Sequence, residues 1–135
     1  MSRQPPRGAG VGATRRRIAL AACVALAACA TDPAVPDAPK VVREHPLGPY
    51  DIHEECLRLG VGDRVDYEFS ATLPVAFNIH YHEANAVVAP IVRDGVRADS
   101  GVFAPRLAQD YCLMWEAGPA GAAVDYRLRL RPAAP

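Results

Sequence analysis

The chain has 135 residues, with fifteen basic and fifteen acidic side chains and four cysteines. Five of the basic residues precede residue 29, whereas all fifteen acidic residues follow it, so residues 29–135 carry a net charge of −5 with histidine neutral. Such an acidic segment gives no support to nucleic-acid or anionic-lipid binding. Its length of about 107 residues is enough for one small domain.

The N-terminal stretch "RRRIALAACVALAAC" (residues 15–29) combines three arginines with an uncharged run. The apolar run covers only residues 18–30, whereas a membrane-spanning helix needs about 20 apolar residues. It is also apolar on every side, so a surface helix is disfavoured. A basic region, a short apolar region and small residues at the end are typical of a cleaved secretory signal, which we expect at residues 1–28.

The end of this stretch, "LAAC" at residues 26–29, resembles the lipobox of bacterial lipoproteins. The resemblance implies that Cys29 becomes the lipid-modified first residue, while Cys23 leaves with the signal. Ordinary signal-peptidase cleavage after Ala28 or Ala30 is the alternative. A lipidated terminus anchors a protein to a membrane without spanning it. Since Ala30 follows the cysteine, the family's sorting pattern implies the outer membrane, facing the periplasm.

Residues 29–49 contain five prolines and are predicted to form an extended tether. Within them, "KVVRE" (residues 40–44) could pair as an edge strand, but a plain spacer is the favoured interpretation. The folded domain is then expected to cover residues 50–135.

Two cysteines, Cys56 and Cys112, remain for that domain. In an oxidising compartment they are expected to form a disulfide. It would close a loop of some 57 residues, a constraint of about 4 kcal/mol in the chain-entropy description. The alternative is a redox or metal-binding thiol pair, although no Cys-x-x-Cys motif is present.

From residue 50 onward, apolar and polar residues alternate in short segments separated by glycine- and aspartate-rich turns, a pattern that predicts strands with one buried face. Pro90 places its segment at a sheet edge or splits it at a bulge. The segments predict an all-β fold, a small antiparallel β-sandwich of seven or eight strands. They are "DIHEECLRL" (51–59), "RVDYEFSAT" (64–72), "PVAFNIHYH" (74–82), "AVVAPIV" (86–92), "GVFAPR" (101–106), "DYCLMWEA" (110–117) and "AVDYRLRLR" (123–131), with 40–44 as an eighth.

The order "EECLRLGVGDRVDYEFS", "PVAFNIHYH", "GVFAPRLAQDYCLMWEA" and "AVDYRLRL" resembles the GOLD domain of p24-type proteins. The likeness covers about 80 residues, from Glu55 to Leu130. Cys56, Gly62 and Tyr111-Cys112 stand at its characteristic positions. The resemblance implies a jelly-roll-like sandwich, a disulfide, and binding in preference to catalysis.

His80 and His82 are the candidate metal ligands, because side chains two apart on a strand share one face. Imidazole suits zinc, copper or nickel, and a site needs a third ligand. His53 and Glu55 would serve only if their strand is a neighbour, and Met114 would suit copper(I). The favoured interpretation is nevertheless a solvated polar face without a cofactor.

Nothing in the sequence marks a catalytic site, since only Ser70 and Ser100 are present as serines in residues 29–135 and no nucleophile motif surrounds them. The arginines of the last strand are expected to pair with Asp66 and Glu68 across strands. Trp115, with Met114, is expected to pack against the disulfide. The sequence thus predicts a lipid-anchored, non-catalytic module that binds an envelope protein or a small ligand, with a metal-binding protein as the alternative.

Overall fold

The computed structural model describes residues 38–134, which form six antiparallel strands. The strands are β1 (Lys40–Leu47), β2 (Ile52–Leu59), β3 (Arg64–Glu83), β4 (Ala86–Phe103), β5 (Gln109–Ala117) and β6 (Ala122–Arg131). The predicted signal at residues 1–28 and the predicted lipid-bearing Cys29 lie outside the described residues. Within residues 38–134, no helix is long and apolar enough to cross a membrane.

The sheet has the order β1-β6-β3-β5-β2, with β4 paired to β3. The 20-residue β3 is shared: residues 64–71 pair with β6, and residues 75–80 pair with β5. This arrangement curls the sheet, and side chains of its two end strands meet. The Nζ of Lys40 on β1 lies 2.5 Å from a carboxylate oxygen of Glu55 on β2. The rings of His45 and His53 are 3.9 Å apart between centroids.

The all-β, antiparallel prediction is confirmed, but the strand count differs because neighbouring predicted strands merge. Residues 64–72 and 74–82 both belong to β3, and residues 86–92 and 101–106 both contribute to β4. Asp94-Gly95, predicted as a turn, lies at a register shift within β4, where Gly95 has φ +63°. A glycine in this conformation accommodates a β-bulge, which bends a strand without ending it. Pro90 lies at a further shift, and β4 pairs with β3 alone.

The favoured spacer interpretation of residues 40–44 is wrong, because β1 pairs with β6 along the edge of the sheet. Its alternation is hidden by a bulge at Glu44, whose φ is +50°. The backbone N–H of Glu44 donates a 2.6 Å hydrogen bond to Asp125, and Arg43 forms an ion pair with the same carboxylate. Pro46 is tolerated because an edge strand leaves some N–H groups without a ladder partner.

One face of the curled sheet, the inner face, carries a continuous hydrophobic core. Alternation in three segments predicts twelve inward residues. Ala71 and Leu130 are half-buried, and the other ten are buried, with Trp115 fully buried among them. The ten are Val65, Tyr67, Phe69, Val75, Phe77, Ile79, Tyr81, Val124, Tyr126 and Leu128. The opposite side is called the outer face below. It carries the predicted disulfide, which joins Cys56 and Cys112 directly opposite each other on β2 and β5.

Candidate functional site

The outer face brings together a group of side chains from three adjacent strands, here called the outer-face cluster: Glu54, Cys56, Asn78, His80 and Cys112. Cys56 pairs with Cys112, and Cys112 pairs on its other side with His80, so these three residues form one row across β2, β5 and β3. Glu54 and Asn78 precede Cys56 and His80 by two positions and therefore share their face.

His80 is held at one side of its ring and faces a carboxylate at the other. Its Nδ1 lies 2.7 Å from Oδ1 of Asn78, whose amide nitrogen faces the sulfur of Met114 at 4.0 Å. Because the Asn78 oxygen can only accept, Nδ1 of His80 carries the proton and donates it. In the neutral ring the lone pair therefore resides on Nε2, which lies 3.7 Å from a carboxylate oxygen of Glu54.

The predicted solvated face is wrong for His80, which is only 4 % exposed, while His82 is exposed as expected. The reason is lateral crowding. In this half of the molecule β3 lies between β4 and β5, so its outer face is flanked by neighbours on both sides. The disulfide lies in the same row as His80, on β5 and β2, and the His82 ring packs edge-on against the His80 ring with centroids 5.2 Å apart.

His53 and Glu55 do not join His80, because they point to the inner face, where they contact Trp115 and Tyr126. Glu54 is the potential third ligand instead. Its carboxylate, the His80 ring and the Cys112 sulfur offer ligand atoms within 4.8 Å of one another. The Cys112 sulfur is bonded to Cys56, so it is not a thiolate ligand while the disulfide is closed.

A second polar group, here called the seam cluster, lies where β1 meets β2: Lys40, His45, His53, Glu55 and Tyr126. Tyr126 donates a 2.5 Å hydrogen bond to Glu55, which also accepts from Lys40 at 2.5 Å. Because the Tyr126 proton is used in this way, the 2.9 Å contact with Nε2 of His53 has the histidine as donor. The hydrogen bonds therefore run from His53 through Tyr126 to Glu55.

The electrostatics of the seam cluster follow from this order. Burial, then the adjacent His45, lowers the pKa of His53. Burial raises the pKa of the Glu55 carboxyl, but hydrogen bonds from Lys40 and Tyr126 outweigh it, and the net pKa is lowered. Burial and the Glu55 carboxylate raise the pKa of Tyr126 far above its usual range, so the hydroxyl stays protonated. Because Lys40, His53, Glu55 and Tyr126 are hydrogen-bonded to one another, the seam cluster is a structural network that joins the end strands β1 and β2.

Sequence reasoning missed the seam cluster because the cluster joins β1 and β2 with Tyr126 of β6, a strand that lies far along the chain from both. His45 was assigned to the tether, and Tyr126 to a plain core face. The one available signal was the alternation of His53 and Glu55 along β2, which places two polar side chains on the face that also carries Leu57 and Leu59.

Trp115 does not pack against the disulfide as predicted, because its alternation on β5 turns it to the inner face. There it stacks on Tyr126 and contacts Phe69, Phe77 and His53 through ring pairs with centroids 4.7–5.9 Å apart. Met114, one position earlier, lies on the outer face near Asn78.

The predicted pairing of the last strand's arginines with Asp66 and Glu68 is confirmed for Arg131, which forms an ion pair with Asp66. The register also sets Arg129 opposite Asp66 and Arg127 opposite Glu68. These charges neutralise one another across the strands.

An apolar groove of about 610 Å³ opens beside residues 104–108, which link β4 to β5. Tyr111 stands in its wall with Phe103 and Tyr81, at ring-centroid separations of 4.9 and 5.2 Å. The Tyr111 hydroxyl donates to the carbonyl of Leu107 at 3.2 Å, and burial raises its pKa. Arg106 also lines the groove and has no ion-pair partner among residues 38–134.

In comparisons with known proteins, no protein-family description matches the chain, and no curated protein matches it significantly.

Proposed function

We propose that the chain is a lipid-anchored, periplasm-facing lipoprotein whose β domain binds a ligand or envelope partner without catalysing a reaction. The anchor is supported by the residues 15–29, with their basic region, short apolar run and "LAAC" ending. The domain itself supports binding through its groove, and this groove is the observation that carries the proposal.

The curled sheet is, in this proposal, a jelly-roll-like β-sandwich of the kind that the GOLD resemblance implies. Trp115 supports it by touching both halves of the sheet: it contacts Phe69 and Tyr126 from one half, and Phe77 and His53 from the other. A side chain enclosed by two opposed halves is what a two-layer core requires.

The groove has the size and apolar, aromatic lining typical of small-ligand sites. Arg106 adds a guanidinium at its wall, which suits an anionic group. The proposed ligand therefore has an apolar body and a carboxylate or similar anionic end.

The anchor is tested by membrane fractionation of two matched variants in a bacterial host. Cys29→Ser is expected to lose membrane association and appear in the soluble fraction. Cys23→Ser, the control, is expected to partition like wild type because the signal is removed. If Cys29→Ser remains in the membrane fraction, the lipobox assignment is wrong.

The groove is tested by titration with decanoate and decanol, which share an apolar body and differ in charge. Wild type is expected to prefer decanoate, and Arg106→Gln to lose that preference by about tenfold to a hundredfold, the equivalent of one hydrogen bond to a charged group. Arg58→Gln, an exposed arginine on β2, is the control. Equal binding of both probes to wild type would exclude an anion site.

A metal-binding function at His80 and His82 is the second candidate. The observation that favours it is the fixed His80 ring, since histidine ligands of metals usually donate their other N–H to an oxygen acceptor. Zinc, copper or nickel is expected to raise the melting temperature of the oxidised protein, and His82→Ala to abolish the rise. Absence of any metal-dependent rise in wild type would eliminate this candidate.

A further inference from the structure

The disulfide is part of the only group of three or more potential metal ligands that residues 38–134 bring within 4.8 Å of one another. Its Cys112 sulfur lies within that distance of the His80 and Glu54 ligand atoms. Cys56 faces Cys112 across the strand pair with the Cα atoms 4.0 Å apart. Opening the bond would therefore leave two thiols next to an oriented imidazole and a carboxylate.

These four side chains form a ligand set that zinc prefers. Structural zinc sites are tetrahedral and use thiolate, imidazole and carboxylate ligands at about 2.0–2.3 Å. Ligand atoms of such a tetrahedron lie roughly 3.3–3.8 Å apart, as follows from those bond lengths. The 3.7 Å between Nε2 of His80 and the Glu54 oxygen is a few tenths of an ångström longer than the roughly 3.4 Å expected for a nitrogen and an oxygen ligand, so a small side-chain movement would close it.

We propose that the Cys56–Cys112 disulfide is the closed state of a redox-controlled zinc site, in which Cys56, Cys112, His80 and Glu54 bind zinc once the disulfide is reduced. The proposal goes beyond the second candidate function and shares only His80 with it. It differs in requiring the two thiolates and in making zinc binding and the disulfide mutually exclusive.

The chemistry balances with a protein or small-molecule dithiol as reductant. The dithiol gives two electrons and two protons to the disulfide, the S–S bond breaks, and the reductant becomes a disulfide. Zinc then displaces the two thiol protons to solvent and binds both thiolates. In the reverse direction an acceptor disulfide takes two electrons from the two thiolates and two protons from solvent and becomes a dithiol, Cys56 and Cys112 rejoin, and zinc is released.

The surroundings fit this role. His80 and Cys112 are buried, while Cys56 and Glu54 are exposed and leave an entry path for the ion. Asn78 accepts the Nδ1 proton of His80 and directs Nε2 toward Glu54, so it is a positioning residue for the site.

The test uses the full chain with Cys23→Ser and Cys29→Ser, so that Cys56 and Cys112 are the only cysteines. Zinc affinity is measured by competition with a chromophoric chelator, for the oxidised protein and for protein reduced with a phosphine and desalted under nitrogen. The reduced form is expected to bind one zinc at least 100-fold more tightly, as an order of magnitude for gaining two thiolate ligands. Equal affinity of the two forms would overturn the proposal while preserving the second candidate function. Zinc binding by the reduced form alone would support the proposal and eliminate that candidate.

Variants distinguish the folded site from two thiols binding zinc by themselves. Glu54→Gln is expected to weaken zinc binding of the reduced form by tenfold or more, and Asn78→Leu by about 10- to 100-fold. Glu68→Gln, a carboxylate on the other half of β3, is the matched control and should bind like the parent. If Glu54→Gln and Glu68→Gln bind zinc equally, the site is wrong.

Circular dichroism covers the case in which reduction unfolds the chain. Zinc is then expected to restore the strand signal in the parent and in Glu68→Gln at lower zinc concentrations than in Glu54→Gln. Zinc bound without return of that signal would contradict the proposal.

Discussion

Glu54 and Glu55 are adjacent on β2, yet they lie in two different chemical environments. Glu55 points to the inner face, is 17 % exposed, and accepts hydrogen bonds from Lys40 and Tyr126. Glu54 points to the outer face, is 40 % exposed, and among residues 38–134 has its one ionic contact with His80, at 3.7 Å. The seam cluster is therefore satisfied by the protein, whereas the outer-face cluster retains ligand capacity. Neighbouring residues of one type thus acquire a structural and a binding role purely from the alternation of the strand.

The largest effect is expected on the outer face, from loss of the disulfide. Cys56→Ser should lower the free energy of unfolding by about 2–5 kcal/mol, because the bond closes a loop between residues 56 positions apart. Urea denaturation of oxidised wild type and of the variant measures it. Reduced wild type is the control and should resemble the variant; equal stability of variant and oxidised wild type would contradict a structural disulfide.

Glu55→Gln tests how much the seam cluster, on the inner face, contributes to the free energy of unfolding. The change removes the charge that accepts from Lys40 and Tyr126, in a mostly buried position, and is expected to cost about 1–3 kcal/mol of unfolding free energy. Chemical denaturation checks this value. A loss below about 0.5 kcal/mol would show that the seam cluster does not stabilise the junction of β1 and β2.

A smaller, pH-dependent effect is expected from His53, whose side chain is partly exposed. Its pKa is lowered below 6.5 in the folded state, so the unfolded chain takes up the proton first. Stability should therefore fall as the pH drops below about 6.5, and again below about 4.5 as Glu55, whose folded pKa is lowered, becomes protonated. Melting temperatures between pH 8 and 3 measure both steps.

The control for that pH profile is a pair of histidine variants. His53→Gln should remove the first step, whereas His82→Gln, on the exposed outer face, should keep it. Persistence of the first step in His53→Gln would assign it to another group.

Glu54→Gln should have the smallest effect on stability, within about 0.5 kcal/mol, because an exposed carboxylate without a short hydrogen bond contributes little. The large effect of Glu54→Gln is expected on zinc binding by the reduced protein. Chemical denaturation of Glu54→Gln and Glu55→Gln side by side measures the difference directly. Equal losses of unfolding free energy in the two variants would show that the two faces do not differ in this respect.

The sequence alone determined the features that depend on local periodicity and composition. Period-two alternation identified inward residues of the segments that became β3 and β6, since a strand places successive side chains on opposite faces. The count of cysteines predicted the bond between Cys56 and Cys112. The lipid anchor at Cys29 remains a prediction that rests on the sequence.

Tertiary structure decided what depends on which strands are neighbours. It placed β5 between β2 and β3 and so brought Glu54, on the outer face of β2, within reach of His80 across β5. It also brought β1, with a bulge that hides its alternation, into contact with β2. Strand order and bulges arise from contacts between residues far apart in the chain. The alternation along the chain indicates which face of the sheet each residue occupies. It does not indicate which residue lies opposite it on the neighbouring strand.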